Sequence, residues 1–285
     1  SVASRGLGDV YKRQDLHHVD GTIKMGTAKI DWGNNQELNH IFSLPMRPAY
    51  HFNSAKLQDH IIERLGSRIN LIPENVTIDS LDVDHVLDCS GKPKSYEEFH
   101  LLNDRDDSIV VNSAYVVQCK QSDTIINGQM TLAIARPHGW VFVIPLLNRT
   151  SIGYMYNSNI SSENDILKDI SQVVKKLNIL PYESFTLKFN SYYRKQNFTD
   201  RIARNGNASF FLEPIEATSI WTMVYVHHLT HQLWDGEISV DESNEKYSTF
   251  LQQIESMIMF HYFAGSKYDT PFWKFAREHG RNNIR

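Results

Sequence analysis

The sequence predicts a mixed α+β (α/β) fold, on three observations. Residues 108–158 are dense in β-branched and aromatic side chains, with strand-like runs at Ile109–Val111, Tyr115–Gln118, Met130–Ile134, Trp140–Ile144 and Ile152–Tyr156. Hairpin connections suit such runs, so an antiparallel sheet is expected. Asn53-Ser54 ahead of Leu57, Ile61 and Leu65, closed by Gly66, spells a capped amphipathic helix. Pro214–Leu233 and Ser243–Phe263 read as two long helices after the sheet.

The remaining elements follow in order. Arg68–Ile72 and Val76–Leu81 are strand-like, and Asp84-His-Val-Leu-Asp88-Cys-Ser-Gly91 reads as a strand ending in a tight glycine turn. Glu163–Leu177 is expected to be helical and Phe185–Tyr193 to be a further strand. No repeat, low-complexity tract or clear linker interrupts the chain, so one domain is expected over residues 15–285. Residues 1–14 are short, basic and aperiodic, and are expected to be a non-native scar.

Bulk properties narrow the function classes. The 285 residues are 41% hydrophobic and 22% charged, an ordinary globular composition. A net charge of -4 argues against nucleic-acid or anionic-membrane partners. No apolar run approaches the ~20 residues that span a bilayer, and a cytoplasmic location is expected. Two cysteines, Cys89 and Cys119, form no disulfide framework, so triplets such as Asn197-Phe-Thr199 are read as incidental rather than glycosylated. Gly6-Leu-Gly8 lacks the preceding strand and third glycine of a dinucleotide loop. His227, His228 and His231 lack both an HExxH glutamate and an obvious third ligand, so no metal is expected.

The most informative segment is Phe211-Leu-Glu-Pro-Ile-Glu216-Ala-Thr-Ser-Ile220. It places Glu216 directly after Pro and an apolar residue, in the expected first turn of a hydrophobic helix. Backbone N–H groups there have no intrahelical partner and attract an anion or the edge of a planar cofactor. Taken by itself, the segment reads first as a capped core helix carrying a dipole-favoured acid.

Other motifs accompany it in order: Asp20-Gly21-Thr22-Ile23-Lys24-Met-Gly26 closed by Asp31-Trp32, Gly139-Trp140-Val-Phe142-Val-Ile144-Pro145, His261-Tyr262-Phe263, and Asp269-Thr-Pro271-Phe272-Trp273. The set, running from about Asp15 to the C-terminus, resembles the flavin-dependent tryptophan halogenase family. The resemblance implies a flavin-monooxygenase-like FAD/NAD(P)-binding fold with an antiparallel sheet on the substrate side and helices at the C-terminal end. It implies Lys24 and Glu216 as catalytic residues. It also implies FAD contacts at Asp88, Gly91, Trp140, Ile144, Pro145, Gly206, Leu212 and Pro214. Thr218 and Ser219 would hold the halide, and His40 and Phe42 would line the substrate pocket. Reduced FAD with O2 and chloride or bromide would yield hypohalous acid, which the lysine binds and the carboxylate orients toward an indole- or phenol-like substrate. A separate flavin reductase is the implied partner, because nothing here would bind a nicotinamide. A homodimer is left open.

Phe142 stands where the family has a second tryptophan, and Ala217 where it has Ser. These departures keep a flavin-dependent aromatic hydroxylase as an alternative, and an inactive fragment as another. The family's opening G-x-G-x-x-G unit and its G-E-A-T-x-P loop are not in the sequence, which stops soon after Trp273. The chain is therefore expected to be an internal piece of such an enzyme, binding FAD poorly by itself.

Overall fold

The computed structural model describes residues 13–34, 40–43, 49–102, 110–120 and 130–284, with backbone alone at 13–15 and 40–43. The chain divides into two compact units: Ser1–Ile72, Ser113–Leu187 and Ser266–Trp273 in the first, Pro73–Asn112, Lys188–Gly265 and Lys274–Arg285 in the second. The first opens with α1 (Arg13–His18), β1 (Thr22–Lys24), β2 (Gly26–Ile30), β3 (His40–Ser43), β4 (Ala49–His51) and α2 (Ser54–Leu65). The second then contributes β5 (Val86–Asp88) and β6 (Phe99–Leu101). The chain returns to the first for β7 (Ser113–Lys120), β8 (Met130–Arg136), β9 (Gly139–Pro145), β10 (Arg149–Tyr156), α3 (Glu163–Lys176) and β11 (Pro181–Lys188). To the second belong β12 (Tyr192–Arg194), β13 (Ile202–Arg204), β14 (Phe210–Phe211), α4 (Thr218–Trp234) and α5 (Val240–Ala264), while α6 (Pro271–Asn283) begins in the first and ends in the second.

The first unit is built on a seven-stranded sheet of order β11-β7-β10-β9-β8-β2-β3. The hairpins β8–β9 and β9–β10 are antiparallel as expected, whereas β2 joins β8 in parallel, Gly26 beside Met130. Alternation assigns the two faces. Val141, Val143, Ile152 and Tyr154 form a core under Ile166, Ile170 and Val173 of α3. Trp140, Phe142 and Ile144 point to the opposite face. There the Trp140 ring lies 6.2 Å from Trp32, which meets Trp273 edge-on at 5.4 Å. Each of those two outer indoles finds a backbone acceptor, Trp32 donating to Ala133 O at 3.1 Å and Trp273 to Arg136 O at 2.7 Å, as large buried rings with one polar atom require.

The second unit combines the antiparallel sheet β14-β12-β6, the parallel pair β13-β5 and the helices α4 and α5. A buried polar cluster ties loop to helix. Asn244 of α5 accepts from the backbone N–H groups of Asn197 and Phe198, and Ser209 donates to Asn197 Oδ1 at 2.7 Å. Asn197 is thus consumed inside the fold, in keeping with the incidental reading of its triplet.

Several expectations need correction. Arg68–Ile72 and Val76–Leu81 form no strands; 3-10 turns stand at Gly66–Arg68 and Ile78–Ser80, and Leu71, Ile72 and Val76 are exposed. β-propensity expresses itself only beside a neighbouring strand. Ile109 lies outside the described residues, and Val110 and Val111 precede the strand that starts at Ser113. Phe185–Tyr193 divides between β11 and β12, which belong to different sheets. The α2 helix forms as expected, Asn53 Oδ1 accepting from Ala55 N and Gly66 stopping it at φ 50°.

Candidate active site

The approach to Glu216 is set by alternating burial. From β14 the chain buries Leu212, Glu213 and Ile215 and turns Pro214 and Glu216 outward. Glu216 and Ala217 then adopt consecutive left-handed conformations, φ 60° and 53°, before α4 begins at Thr218. Glu216 therefore does not lie in the first helical turn, as its position after Pro214 suggested, but in a break that precedes the helix. Two non-glycine residues in this region cost about 1–2 kcal/mol each, strain that the surrounding packing must offset.

Helix α5 holds both carboxylates of the segment from adjacent positions in its last turns. His261 Nε2 lies 3.2 Å from Glu216 Oε1, and Tyr262 donates its hydroxyl to Glu213 Oε1 at 2.6 Å. Glu213 is enclosed, and burial pushes its carboxyl up to about 8 against the lowering effect of the Tyr262 bond. It is thus a neutral acid at pH 7, whereas Glu216 is about one-third exposed. The sequence motif singled out His261-Tyr262 without assigning either a partner.

Helix α4 starts without a side-chain cap, so its first N–H groups have no local acceptor from that source. Thr218 is buried and its Oγ1 has no hydrogen-bond partner. Ser219 beside it is half-buried. An uncapped positive helix end next to an unsatisfied hydroxyl suits an anion.

Three of the expected FAD residues of this unit, Asp88, Gly91 and Gly206, lie at the carboxyl ends of the parallel pair, where ligands sit in open α/β sheets, whereas Leu212 and Pro214 follow β14. Asp88 ends β5 opposite Arg204 of β13, with Asp88 Oδ2 3.7 Å from the guanidinium. Gly91 follows at φ 94° with nothing within 4 Å of the position a Cβ would take, and Gly206 at φ 58° meets only Met223 Cε at 4.0 Å. Asn205 locks this corner: its backbone N–H donates to Asp88 O, its amide to Met223 O of α4, and its Oδ1 accepts from Gly206 N at 2.8 Å. The resemblance pointed to the Asn205–Ser209 loop for its glycine and gave Asn205 no role, although an Asn before a turn glycine is a turn signal. Open backbone at two glycine turns and an orphaned buried hydroxyl are the features a planar, phosphate-bearing cofactor and its halide require, so these residues fit the group.

In the first unit, Lys24 ends β1, half-buried and paired in register with Ala49 of β4. Thr22 Oγ1 donates to the carbonyl of Pro145 at 3.3 Å, which brings the β1 strand to the end of β9. His51 on β4 is buried, its Nε2 2.8 Å from Thr131 Oγ1. Burial first, and the Lys24 charge second, drive the imidazole down to about 4, so His51 is neutral. Trp140 is 2% exposed and Pro145 is buried, with Ile144 half-buried between. His40 and Phe42 pair with Lys29 and Thr27 through the backbone, and their side chains lie outside the described residues. His227 and His231 place their Nε2 atoms 3.2 Å apart on α4, and among the described residues no three His, Cys, Asp or Glu side chains are grouped to hold a metal. Cys89 is exposed and Cys119 buried, both as free thiols. Among the described residues no helix is long and apolar enough to cross a membrane.

The chain is 27% identical over 215 residues to tryptophan 7-halogenase RebH of Lentzea aerocolonigenes and 26% identical over 210 residues to tryptophan 6-halogenase ThaL of Streptomyces albogriseolus. These matches cover 69% and 70% of the chain but 38% and 39% of the relatives, so the matched part spans about two-fifths of their length. The fold is similar to that of a tryptophan halogenase from Shewanella frigidimarina, with TM-score 0.72, 19% identity and coverage of 93% of this chain and 66% of that one. BrvH, a flavin-dependent halogenase from Brevundimonas, matches at TM-score 0.71 and 19% identity over 95% of this chain and 71% of its own. The sequence profile of the tryptophan halogenase family matches residues 72–283, well over half of the chain, and the chain belongs to that family.

Proposed function

We propose that this chain carries the chemistry of an FADH2-dependent halogenase acting on an indole- or phenol-like aromatic compound, with chloride or bromide and O2 as co-substrates. The observation that carries the reading is the left-handed break at Glu216–Ala217. It presents an ionisable carboxylate beside the uncapped start of α4 and the orphaned hydroxyl of Thr218. Strain of this kind persists where function requires it.

Asp88, Gly91, Gly206, Leu212 and Pro214 would hold FAD in the second unit; Trp140, Ile144 and Pro145 are assigned to the cofactor on the resemblance alone. Reduced flavin with dioxygen supplies the oxidising equivalent that converts halide to hypohalous acid. Backbone N–H groups at Thr218 and Ser219 hold the halide. The Lys24 ammonium hydrogen-bonds the oxygen of hypohalous acid and protonates it as the halogen–oxygen bond breaks, so that oxygen leaves as water. The aromatic ring supplies the electron pair of the new carbon–halogen bond. Glu216 then takes the ring proton, and the carbon–hydrogen pair restores aromaticity. The two proton transfers cancel, and aromatic C–H plus hypohalous acid becomes aryl halide plus water. Reducing equivalents come from a separate flavin reductase. His40 and Phe42 are assigned to the substrate pocket on the resemblance alone.

The test is mass spectrometry of mixtures containing the full-length protein that includes this chain, FAD, a flavin reductase, bromide and a panel of indoles and phenols. A bromine isotope doublet is expected. Oxygen addition independent of halide would replace this reading with the hydroxylase, the alternative that Phe142 and Ala217 keep in view.

A further inference from the structure

Helix α4 carries three histidines toward its C-terminal end, and two of them meet. His227 and His231 stand one turn apart on the same face, with their Nε2 atoms 3.2 Å from each other and their ring planes at 86°. Both residues are exposed, so solvent reaches the gap without any opening of the fold. The turn that bears them is anchored from beneath. Val226, Leu229 and Thr230 are buried, and Thr230 donates its hydroxyl to Val226 O at 2.8 Å. The backbone between the two rings is therefore held before anything binds.

Two imidazole nitrogens, each about 2.0–2.1 Å from one ion, stand about 2.9 Å apart at a right angle and about 3.4 Å apart at the tetrahedral angle. The observed 3.2 Å falls inside that interval. The same separation suits one hydrogen shared between the rings, which an ion would displace to solvent. Whatever tautomers the free rings hold, a bound ion selects the one with the lone pair on Nε2 and the hydrogen on Nδ1. The sequence led us to expect no metal because a third ligand is wanting, but an open chelate needs only two.

We propose that His227 and His231 form a chelating site for one divalent late transition ion, of the nickel, copper and zinc class that imidazole favours. Among the described residues no third His, Cys, Asp or Glu joins the pair, so the remaining positions go to water or an added ligand. His228, also exposed, stays outside the chelate. Thr218 precedes His227 by nine residues, about 14 Å along the helix axis. The ion is thus separate from the candidate halide position, and its binding depends neither on flavin nor on Glu216.

The test is calorimetric titration of NiCl2 into the full-length protein that includes this chain; no turnover is needed. Nickel is chosen because it does not oxidise the exposed Cys89 thiol. Affinity at this site should fall about 100-fold in His227→Ala and likewise in His231→Ala, the lower end of what joining two donors adds. His228→Ala should bind as the unsubstituted protein does, which separates a chelate from a merely histidine-rich surface. Far-UV circular dichroism checks that each variant is folded. Absence of a Ni(II) site in the unsubstituted protein, unchanged affinity in either single variant, or an equal loss in His228→Ala would overturn the proposal.

Discussion

Tyr262 donates its hydroxyl hydrogen to Glu213 Oε1 at 2.6 Å within a fully enclosed site, and that bond does not offset the cost of charging the carboxyl there. The folded chain binds this proton up to about pH 8, while an unfolded chain releases it near the ordinary carboxyl value of 4.5. Between those values the native state holds one proton more, so stability is fully present below about 4.5 and declines as pH rises toward 8. Glu213→Gln keeps an oxygen to accept from Tyr262 and removes the titration. Urea unfolding should show the variant gaining on the unsubstituted chain by a few kcal/mol, in order of magnitude, between pH 5 and 8.

The left-handed pair gives a second prediction. Ala217 occupies φ 53°, which glycine adopts without penalty. Ala217→Gly should raise stability by about 1 kcal/mol, read as an increase in Tm. It should also lower kcat, because the Glu216 carboxylate is then held less firmly.

Phe142 and Gly153 are partners across β9 and β10, and the aromatic ring lies over the glycine. A Cβ on Gly153 would stand 2.1 Å from Phe142 Cζ. Gly153→Ala should therefore cost about 1–3 kcal/mol, by forcing the ring off its site. Chemical denaturation checks this, and Phe142→Leu in the same background should recover part of the loss.

Thr218→Val removes the orphaned hydroxyl at the start of α4 without changing side-chain shape. Stability should be unchanged or higher by about 1 kcal/mol, since an unsatisfied buried group disappears. If the hydroxyl belongs to the halide site, KM for bromide rises in the same variant; an unchanged KM would remove Thr218 from that site.

Much of this was legible in the sequence where local rules decide. Asn53 and Gly66 delimited α2, and the dense β-branched runs located β8, β9 and β10. The failures share a cause. Arg68–Ile72 and Val76–Leu81 have strand composition but no neighbouring strand, and one continuous run, Phe185–Tyr193, serves two sheets. Pairing of this kind is a tertiary property. At the candidate site the motif order singled out Glu216, yet helical periodicity ran α4 back to Pro214, because propensity carries no sign of two left-handed residues. The partnership of His261 with Glu216 joins positions far apart in sequence, and no spacing rule could have found it.

The most direct test compares the full-length protein that includes this chain with its Lys24→Ala and Glu216→Gln variants under identical flavin, reductase and bromide supply, following brominated product by mass spectrometry. The account predicts a bromine doublet that falls at least 100-fold in each variant while FAD binding is retained, in line with the ~10²–10⁴-fold value of a positioned acid or base. Bromination that persists in both variants at the unsubstituted rate would contradict it, since free hypobromous acid would then be the only agent.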